Sequence, residues 1–457
     1  MITTRFTLRK EYFGGILHDA QKIRCDVLDD RTYKMVAEIL QADHITKHCG
    51  SYGVHIPDLI KYGYDRAEIM RFVDMGALEI MDNDYVNCVY NGKTRLVRNP
   101  IIPQHCLSAP LRVYDTYTRQ CNLDCPQCCL AASKNADSHR RTLGQTMQIM
   151  DKFYLAGTME WRFTGGEATS CDDLPQAIAY AKSLGMAVML NTNGCWSEQV
   201  AKDITDAGVD EVIISLEGTE ETNDKRRNLG TFSKIMWTFD FLDHYNRCHQ
   251  KTIGVTINMT VARDNAIEMP YVASLAAQHG YNLNFVPLRP YGRSTTGLPD
   301  TMLSTEEYME FCRAVQQTRE TTFIRESGIK IIHKNMDCFS PDYPDKSELP
   351  YPFNYSDCGA LSTGFGLCPD GSVNACSFLM DEPEFKGPNL IDTSVQEAWL
   401  HPSMEHFRNT KKVGCHGCRF YMKQCEGKCR AMVIANGGRI ENSKLYGQDP
   451  YCYKKYL

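Results

Sequence analysis

The chain has no run approaching the ~18 apolar residues that a membrane span needs, and its opening stretch, MITTRFTLRKEYF, has no apolar core like that of a secretory signal. Membrane contact and export are therefore not expected, and the expected location is the cytoplasm. The chain also lacks basic arms. Its 50 Lys and Arg are spread among 56 Asp and Glu, for a formal net charge of -6. That balance does not favour a nucleic-acid partner. Apolar material is not scarce: 43% hydrophobic residues over 457 positions speak against disorder and suffice for two or three domains, each with its own core.

What is abundant is cysteine, with 21 residues. In a reducing compartment, so many thiols read as metal or cluster ligands more readily than as disulfides. They are unevenly placed, in groups at Cys121 to Cys129, Cys358 to Cys376 and Cys415 to Cys452. The others (Cys25, Cys49, Cys88, Cys106, Cys171, Cys195, Cys248, Cys312, Cys338) stand alone and read mostly as small buried apolar residues.

Three blocks organise the chain. In residues 1–100, RFTLR, GGILHD and KIRCDVL read as short strands, followed by DRTYKMVAEILQ and RAEIMRFVDMGALEI at helical spacing. Asp29 or Asp30 is expected to cap the first helix and Asp65 the second.

Residues 108–300 alternate strand and helix. The expected strands are RVYDTYT, EWRFTGG, AVMLNTNG, EVIISLEG, TIGVTINMTVA and NLNFVPLRP, and the helices between them include DLPQAIAYAKSLG, SEQVAKDITDAG, TFSKIMWTFDFLDHY and PYVASLAAQHG. Strands separated by single amphipathic helices imply a parallel sheet, and six such units fit a curved partial (β/α)6 barrel of the α/β class. In such barrels, chemistry sits at the carboxyl ends of the strands. The unusual residues fall there: the first cysteine group, Gly165-Gly166-Glu167, Asn191 to Gly194, Ser215 to Gly218 and Arg289.

After a bridging region at 301–345, residues 346–457 lose the alternation and become rich in Cys, Gly, Pro and Asp, with one clear expected helix, SVQEAWLHPSMEHFRN. Such a segment is expected to need metal staples in order to fold.

Cys121-x3-Cys125-x2-Cys128 places three thiols on a tight loop. Zinc sites usually pair C-x2-4-C with a second pair elsewhere, whereas a cubane iron–sulfur cluster accepts three thiolates and leaves one iron open for a chelating ligand. This spacing after a first strand, with GGE after the second, resembles the radical S-adenosylmethionine (SAM) enzymes. The resemblance implies that Cys121, Cys125 and Cys128 hold a [4Fe-4S] cluster, that Gly165, Gly166 and Glu167 meet the methionyl amine of SAM, and that Asn193 and Ser215 contact its ribose or carboxylate. It also implies that Arg227, in NDKRRN, faces the SAM carboxylate. Cleavage of SAM would give a 5′-deoxyadenosyl radical that abstracts hydrogen from substrate. Relatives usually carry an aromatic residue before the third cysteine, where this chain has Gln127, and ISLEG and TND stand where ISLDG and IHD are common. Cys129, as a fourth iron ligand, would block SAM and is expected to be a packed bystander.

Taken alone, Cys415, Cys418, Cys425 and Cys429 read as a zinc ribbon. With Cys358-x12-Gly371-x4-Cys376 upstream and Cys452 downstream, the pattern resembles the SPASM domain and implies two auxiliary [4Fe-4S] clusters. The first would be bound by Cys358, Cys376 and Cys429 with Cys368 as fourth ligand, the second by Cys415, Cys418, Cys425 and Cys452. Six residues follow Cys418 where relatives usually have five.

The first block resembles the PqqD-like, winged-helix peptide-recognition element, whose edge strand accepts a leader peptide by backbone pairing. The combined resemblance is to maturases that form thioether (sactipeptide, ranthipeptide) or carbon–carbon crosslinks in ribosomally made precursor peptides, with a flavodoxin or ferredoxin as electron donor. A sulfatase-maturing enzyme is the alternative within the family, but it would place Asp where this chain has Ser377 and would lack the first block. A non-catalytic zinc-binding peptide adaptor is the alternative outside it. No residue is singled out as a general base.

Overall fold

The computed structural model describes residues 5–41, 46–48, 51–61, 63–75, 77–82, 85–87, 94–249, 252–297, 300–333, 358–408, 410–421, 425, 427, 429–441 and 444–452. Cys49, Cys88 and Cys338, and the expected bridging and C-terminal stretches over 334–357, lie outside the described residues.

The chain opens with an antiparallel meander, β1 (Phe6–Glu11), β2 (Gly14–Asp19) and β3 (Arg24–Asp29), followed by α1 (Asp30–Gln41). Asp29 caps α1, accepting from the Thr32 amide at 2.6 Å. A second small sheet follows, built from β4 (Thr46–His48), β5 (Ser51–His55), β6 (Glu79–Asp82) and β7 (Tyr85–Asn87), with α2 (Ile56–Lys61) and α3 (Arg66–Asp74) between its strands. Asp65 and Glu68 form a capping box at α3. Then β8 (Thr94–Val97) pairs parallel with β1 and completes a four-stranded sheet of order β3-β2-β1-β8.

The two-residue period of β1 decides how this sheet is used. Phe6 and Leu8 pack with α1 and α3 in a separate core, while Arg9 and Glu11 on the opposite face are fully buried against the next domain. Arg9 donates to Glu11 at 2.7 Å and to the carbonyls of Ala109, Pro110 and Gly157 at 2.9 to 3.1 Å. Ser108 donates to Glu11 from its amide at 2.7 Å and from its hydroxyl at 3.1 Å.

Six parallel strands follow in sequence order: β9 (Arg112–Thr118), β10 (Glu160–Gly165), β11 (Ala187–Thr192), β12 (Glu211–Ser215), β13 (Gly254–Val261) and β14 (Asn282–Pro287). They alternate with α4 (Leu143–Ala156), α5 (Leu174–Ser183), α6 (Glu198–Ala207), α7 (Glu220–Arg227), α8 (Thr231–Cys248) and α9 (Met269–His279). The expected strands are all present. α4 was not among the expected helices, although Thr142 and Gln145 form a capping box at its start. α7 carries no apolar stripe to betray it; it is held by buried Asn223, Arg226 and Arg227.

The sheet does not stop at six strands. β15 (Ile331–Ile332) joins beside β14, and at the other edge β16 (Gly364–Leu367) pairs parallel with β9, followed by β17 (Ser372–Asn374) and β18 (Lys386–Asn389). Leu367, Val373, Phe385, Trp399 and Met404 share one core with the barrel helices. The expectation that this whole region needs staples is therefore corrected: residues 358–408 bury their apolar side chains in the barrel's own core. The single helix expected over SVQEAWLHPSMEHFRN is also corrected. It is two helices, Val395–Trp399 and Pro402–Arg408, because Pro402 can neither donate to the ladder nor fit inside a continuous turn. Beyond it, β19 (Lys411–Lys412), β20 (Arg439–Glu441) and β21 (Lys444–Tyr446) form a small sheet. Among the described residues, no helix is long and apolar enough to cross a membrane.

Candidate active site

The loop leaving β9 carries the first cysteine group and is held from several sides. The Cys121 amide donates to the Ser133 carbonyl at 3.1 Å, closing the loop's neck. From the far edge of the sheet, Arg293 donates to the carbonyls of Cys125 at 3.0 Å and Ala132 at 2.7 Å, and its amide to that of Cys128 at 2.9 Å. Gly292 makes this approach possible: at φ +58°, a Cβ there would lie 2.4 Å from the Cys129 carbonyl oxygen. Sequence reading missed Arg293, whose partners become visible only when the sheet curls the sixth strand's loop back toward the first.

Cys121, Cys125 and Cys128 converge closely enough that each of the last two raises the pKa of the Cys121 thiol, which burial pushes up to about 12. Burial also pushes Cys125 up, opposed by the Arg227 guanidinium. Two sulfurs already accept backbone amides, Cys121 from Leu123 and Cys128 from Ala132, both at 3.4 Å. Half-buried thiols brought together on one loop, with backbone amides aimed at two of the sulfurs, fit a bound metal cluster whose positive charge stabilises the thiolates.

The GGE turn sits beside this loop. Gly166 donates to the Thr118 carbonyl at 2.8 Å and Glu167 to that of Gln120 at 2.9 Å; a Cβ on Gly166 would lie 2.1 Å from the Gln120 oxygen, so only glycine fits. The Glu167 carboxylate is buried and accepts from the Asn193 amide at 2.7 Å and from the hydroxyls of Thr192 and Thr169, each at 2.8 Å. Its side chain thus ties the end of β10 to the end of β11. Asn193 donates to Asn122 at 2.7 Å and lies 3.9 Å from the Cys121 sulfur. Ser215 ends β12 at the same edge.

Gln127 and Arg227 meet on one buried carboxylate. Glu217 accepts from the Arg227 Nε at 3.1 Å, the Gln127 amide at 3.4 Å and the Thr260 backbone at 3.0 Å. The Arg227 side chain makes no other hydrogen bond among the described residues, which leaves its terminal nitrogens for an anion. Burial and the neighbouring Cys128 push Cys129 up to about 12, with Arg289 opposing the rise.

In the C-terminal region, Cys358, Cys376 and Cys429 act on one another. Burial, with Cys358 and Cys429 adding to it, pushes Cys376 up to about 12; Cys429 is raised by burial and by Cys358. Arg289, over the Phe378 ring at 4.5 Å, stands beside Cys376 and Cys429. Cys368 has different surroundings. It is buried, accepts from Asn374 at 3.1 Å, and is acted on chiefly by Asn374, Ser372, Asp370 and Lys386. Of the expected second set, Cys415 and Cys418 share one turn, and Gly427 donates to the buried Cys425 sulfur at 3.3 Å. Asp449, not singled out in the sequence, links the two sets: its carboxylate accepts from Cys429 at 2.9 Å and its carbonyl from Cys452 at 2.9 Å.

Residues 116–271 match the family model described as the Radical SAM superfamily. The match spans the chain from β9 into α9, the strands and helices that carry the three-thiol loop and the GGE turn. A radical SAM barrel implies a [4Fe-4S] cluster and SAM, and the three converging thiols are the residues that fit the cluster. Among curated proteins, the chain is 26% identical over 349 residues to mycofactocin maturase MftC of Mycobacterium tuberculosis, spanning 76% of this chain and 83% of MftC. It is 25% identical over 381 residues to an Fe-coproporphyrin III synthase of Methanosarcina barkeri, spanning 77% and 91%. Among solved structures, Streptococcus suis SuiB bound to SAM superposes with a TM-score of 0.70 at 16% identity, over 98% of this chain and 99% of SuiB. SuiB bound to its precursor peptide SuiA gives 0.67 at 16% identity, over 94% and 95%. These likenesses to SuiB establish the fold: the radical SAM α/β architecture with a Cys-rich C-terminal region.

Proposed function

We propose that this chain modifies a ribosomally made precursor peptide by radical SAM chemistry, installing a thioether or carbon–carbon crosslink. The observation that carries the reading is the fold shared with SuiB over nearly the whole chain, N-terminal sheet included. Among the described residues of that sheet, β3 pairs with β2 on one side only, so its other edge can accept a leader strand.

Cys121, Cys125 and Cys128 would hold the cluster and leave one iron to the amine and carboxylate of SAM. When held there, cluster and SAM would supply a 5′-deoxyadenosyl radical able to take hydrogen from the peptide. Because the Glu167 carboxylate is occupied, the SAM amine would meet backbone carbonyls of Gly165, Gly166 and Glu167. Arg227, anchored by Glu217, would present its planar fork to the SAM carboxylate, with Asn193 and Ser215 beside it. Cys358, Cys376 and Cys429 would bind one auxiliary cluster and Cys415, Cys418, Cys425 and Cys452 a second; Cys368, set among other neighbours, is the weakest of the proposed ligands. A flavodoxin or ferredoxin would deliver the electron.

The test is to incubate anaerobically reconstituted enzyme with SAM, reductant and a candidate precursor encoded beside its gene. A crosslink removes two hydrogens from the peptide. Cys125→Ala should abolish both this mass loss and the release of 5′-deoxyadenosine; an undiminished rate in that variant overturns the assignment. The similarity to an Fe-coproporphyrin III synthase supports a second reading, a tetrapyrrole substrate. An unchanged peptide alongside a modified porphyrin would decide for it.

A further inference from the structure

A second cluster of ligating side chains lies at the opposite end of the barrel from the SAM site. Glu160 is the first residue of β10, at the amino-terminal edge of the sheet. His18 on β2 and Cys25 on β3 are cross-strand partners in the N-terminal sheet. One ligand atom from each of the three lies within 4.8 Å of the others. His18 and Glu160 are 1% and 2% exposed, and Cys25 keeps partial exposure.

One atom here lacks what buried polar atoms almost always have. His18 Nε2 is buried with no hydrogen-bond partner, whereas Glu160 Oε2 is ion-paired to Arg112 at 3.1 Å. Glu160 does not satisfy the ring, since His18 Nε2 stands 3.9 Å from the nearer carboxylate oxygen, beyond hydrogen-bond range. An unpartnered imidazole nitrogen, a carboxylate and a thiol converging on one point are the surroundings of a cation. Burial lowers the His18 pKa and holds the ring neutral, the form whose lone pair binds metal.

The donor set selects the ion. One sulfur, one nitrogen and one oxygen suit zinc; hard cations such as Mg2+ and Ca2+ take oxygen alone, and a single cysteine cannot hold an iron–sulfur cluster. A thiolate and a carboxylate, the latter shared with the Arg112 guanidinium, offset most of the positive charge at the site, and partial exposure at Cys25 admits water to a fourth position. Arg112, paired with Glu160 across the sheet and 3.2 Å from its Oε1, is then the outer donor that fixes a ligating carboxylate.

We propose that His18, Cys25 and Glu160 bind a zinc ion that clamps the N-terminal sheet to the amino-terminal face of the barrel. The proposal is independent of the peptide reading, because none of the three residues belongs to the SAM site.

The enzyme, purified without oxygen from zinc-supplemented cells and dialysed, should carry about one zinc per chain beside its iron. Cys25→Ser, nearly isosteric, should lower retained zinc at least tenfold with iron content and 5′-deoxyadenosine release unchanged, and His18→Gln should do the same. Absorption at the zinc edge, which iron does not contribute to, should show one sulfur at ~2.3 Å and lighter ligands at ~2.0–2.1 Å. Wild-type enzyme free of zinc overturns the proposal. So does a Cys25→Ser variant that keeps its zinc, or a zinc shell of four sulfurs, which would place the ion among the C-terminal cysteines.

Discussion

At the scale of single residues, Gln127 is explained by its partner. Where relatives place an aromatic ring, this chain places an amide that reaches Glu217, the same carboxylate that anchors Arg227. The three contacts to Glu217 are unequal, and their lengths rank them. Glu217→Gln leaves Arg227 buried without its counter-charge and should cost about 3–5 kcal/mol, as breaking a buried ion pair does. Gln127→Ala, which loses only a 3.4 Å contact, should cost about 1 kcal/mol or less. Denaturant unfolding of the two variants measures both, and equal losses would refute the ranking. Cys121, Cys125, Cys128 and the GGE turn were legible in the sequence because each is a short pattern with a chemical reason for its spacing. Arg293 and Asp449 were not. Each is a lone charged residue whose partners arrive from other loops, and nothing local distinguishes it from a solvated one; Glu217 stood out by its place at the end of a strand, though its partners did not.

Among the elements, the barrel strands were the most readable, because parallel strands buried on both faces are unbroken apolar runs ended by glycine or polar breaks. RVYDTYT is β9 to the residue. The docking of β16 onto β9 was not readable, since no local signal in GFGL names a partner hundreds of positions earlier. β3 has the reverse status: its sequence gave a strand, and only the sheet order exposes it as an edge. If a leader peptide adds there, the amides of Arg24–Asp29 that face outward should slow in hydrogen exchange when precursor binds, with SAM cleavage unaffected. Slowing confined to the barrel mouth would remove β3 from recognition.

For the whole molecule, the contact between the N-terminal sheet and the barrel decides which experiments are informative. Residues 1–100 read in the sequence as a recognition element, and the structure ties them firmly to the barrel: Arg9 and Glu11 are fully buried and bonded across the boundary, and Phe13 and Ile16 belong to the barrel's core. Arg9→Met should therefore destabilise the entire enzyme by about 3–5 kcal/mol, read as a shift in its single unfolding midpoint. An unfolding transition confined to the N-terminal sheet would show the boundary to be weak.

The C-terminal region divides the other way. Residues 358–408 are anchored by Trp399, which donates to the Leu107 carbonyl at 2.7 Å, and by Lys152, which donates to the carbonyls of Leu390 and Ile391 at 2.7 and 2.8 Å. Beyond 410, the buried apolar side chains among the described residues are few, chiefly Ala431, Met432, Val433, Leu445 and Tyr451. If metal holds that segment, anaerobic chelation of the iron should expose 410–452 to protease while 358–408 stays bound to the barrel. Cleavage of both segments together would mean that the shared core is too weak to hold residues 358–408 without the clusters.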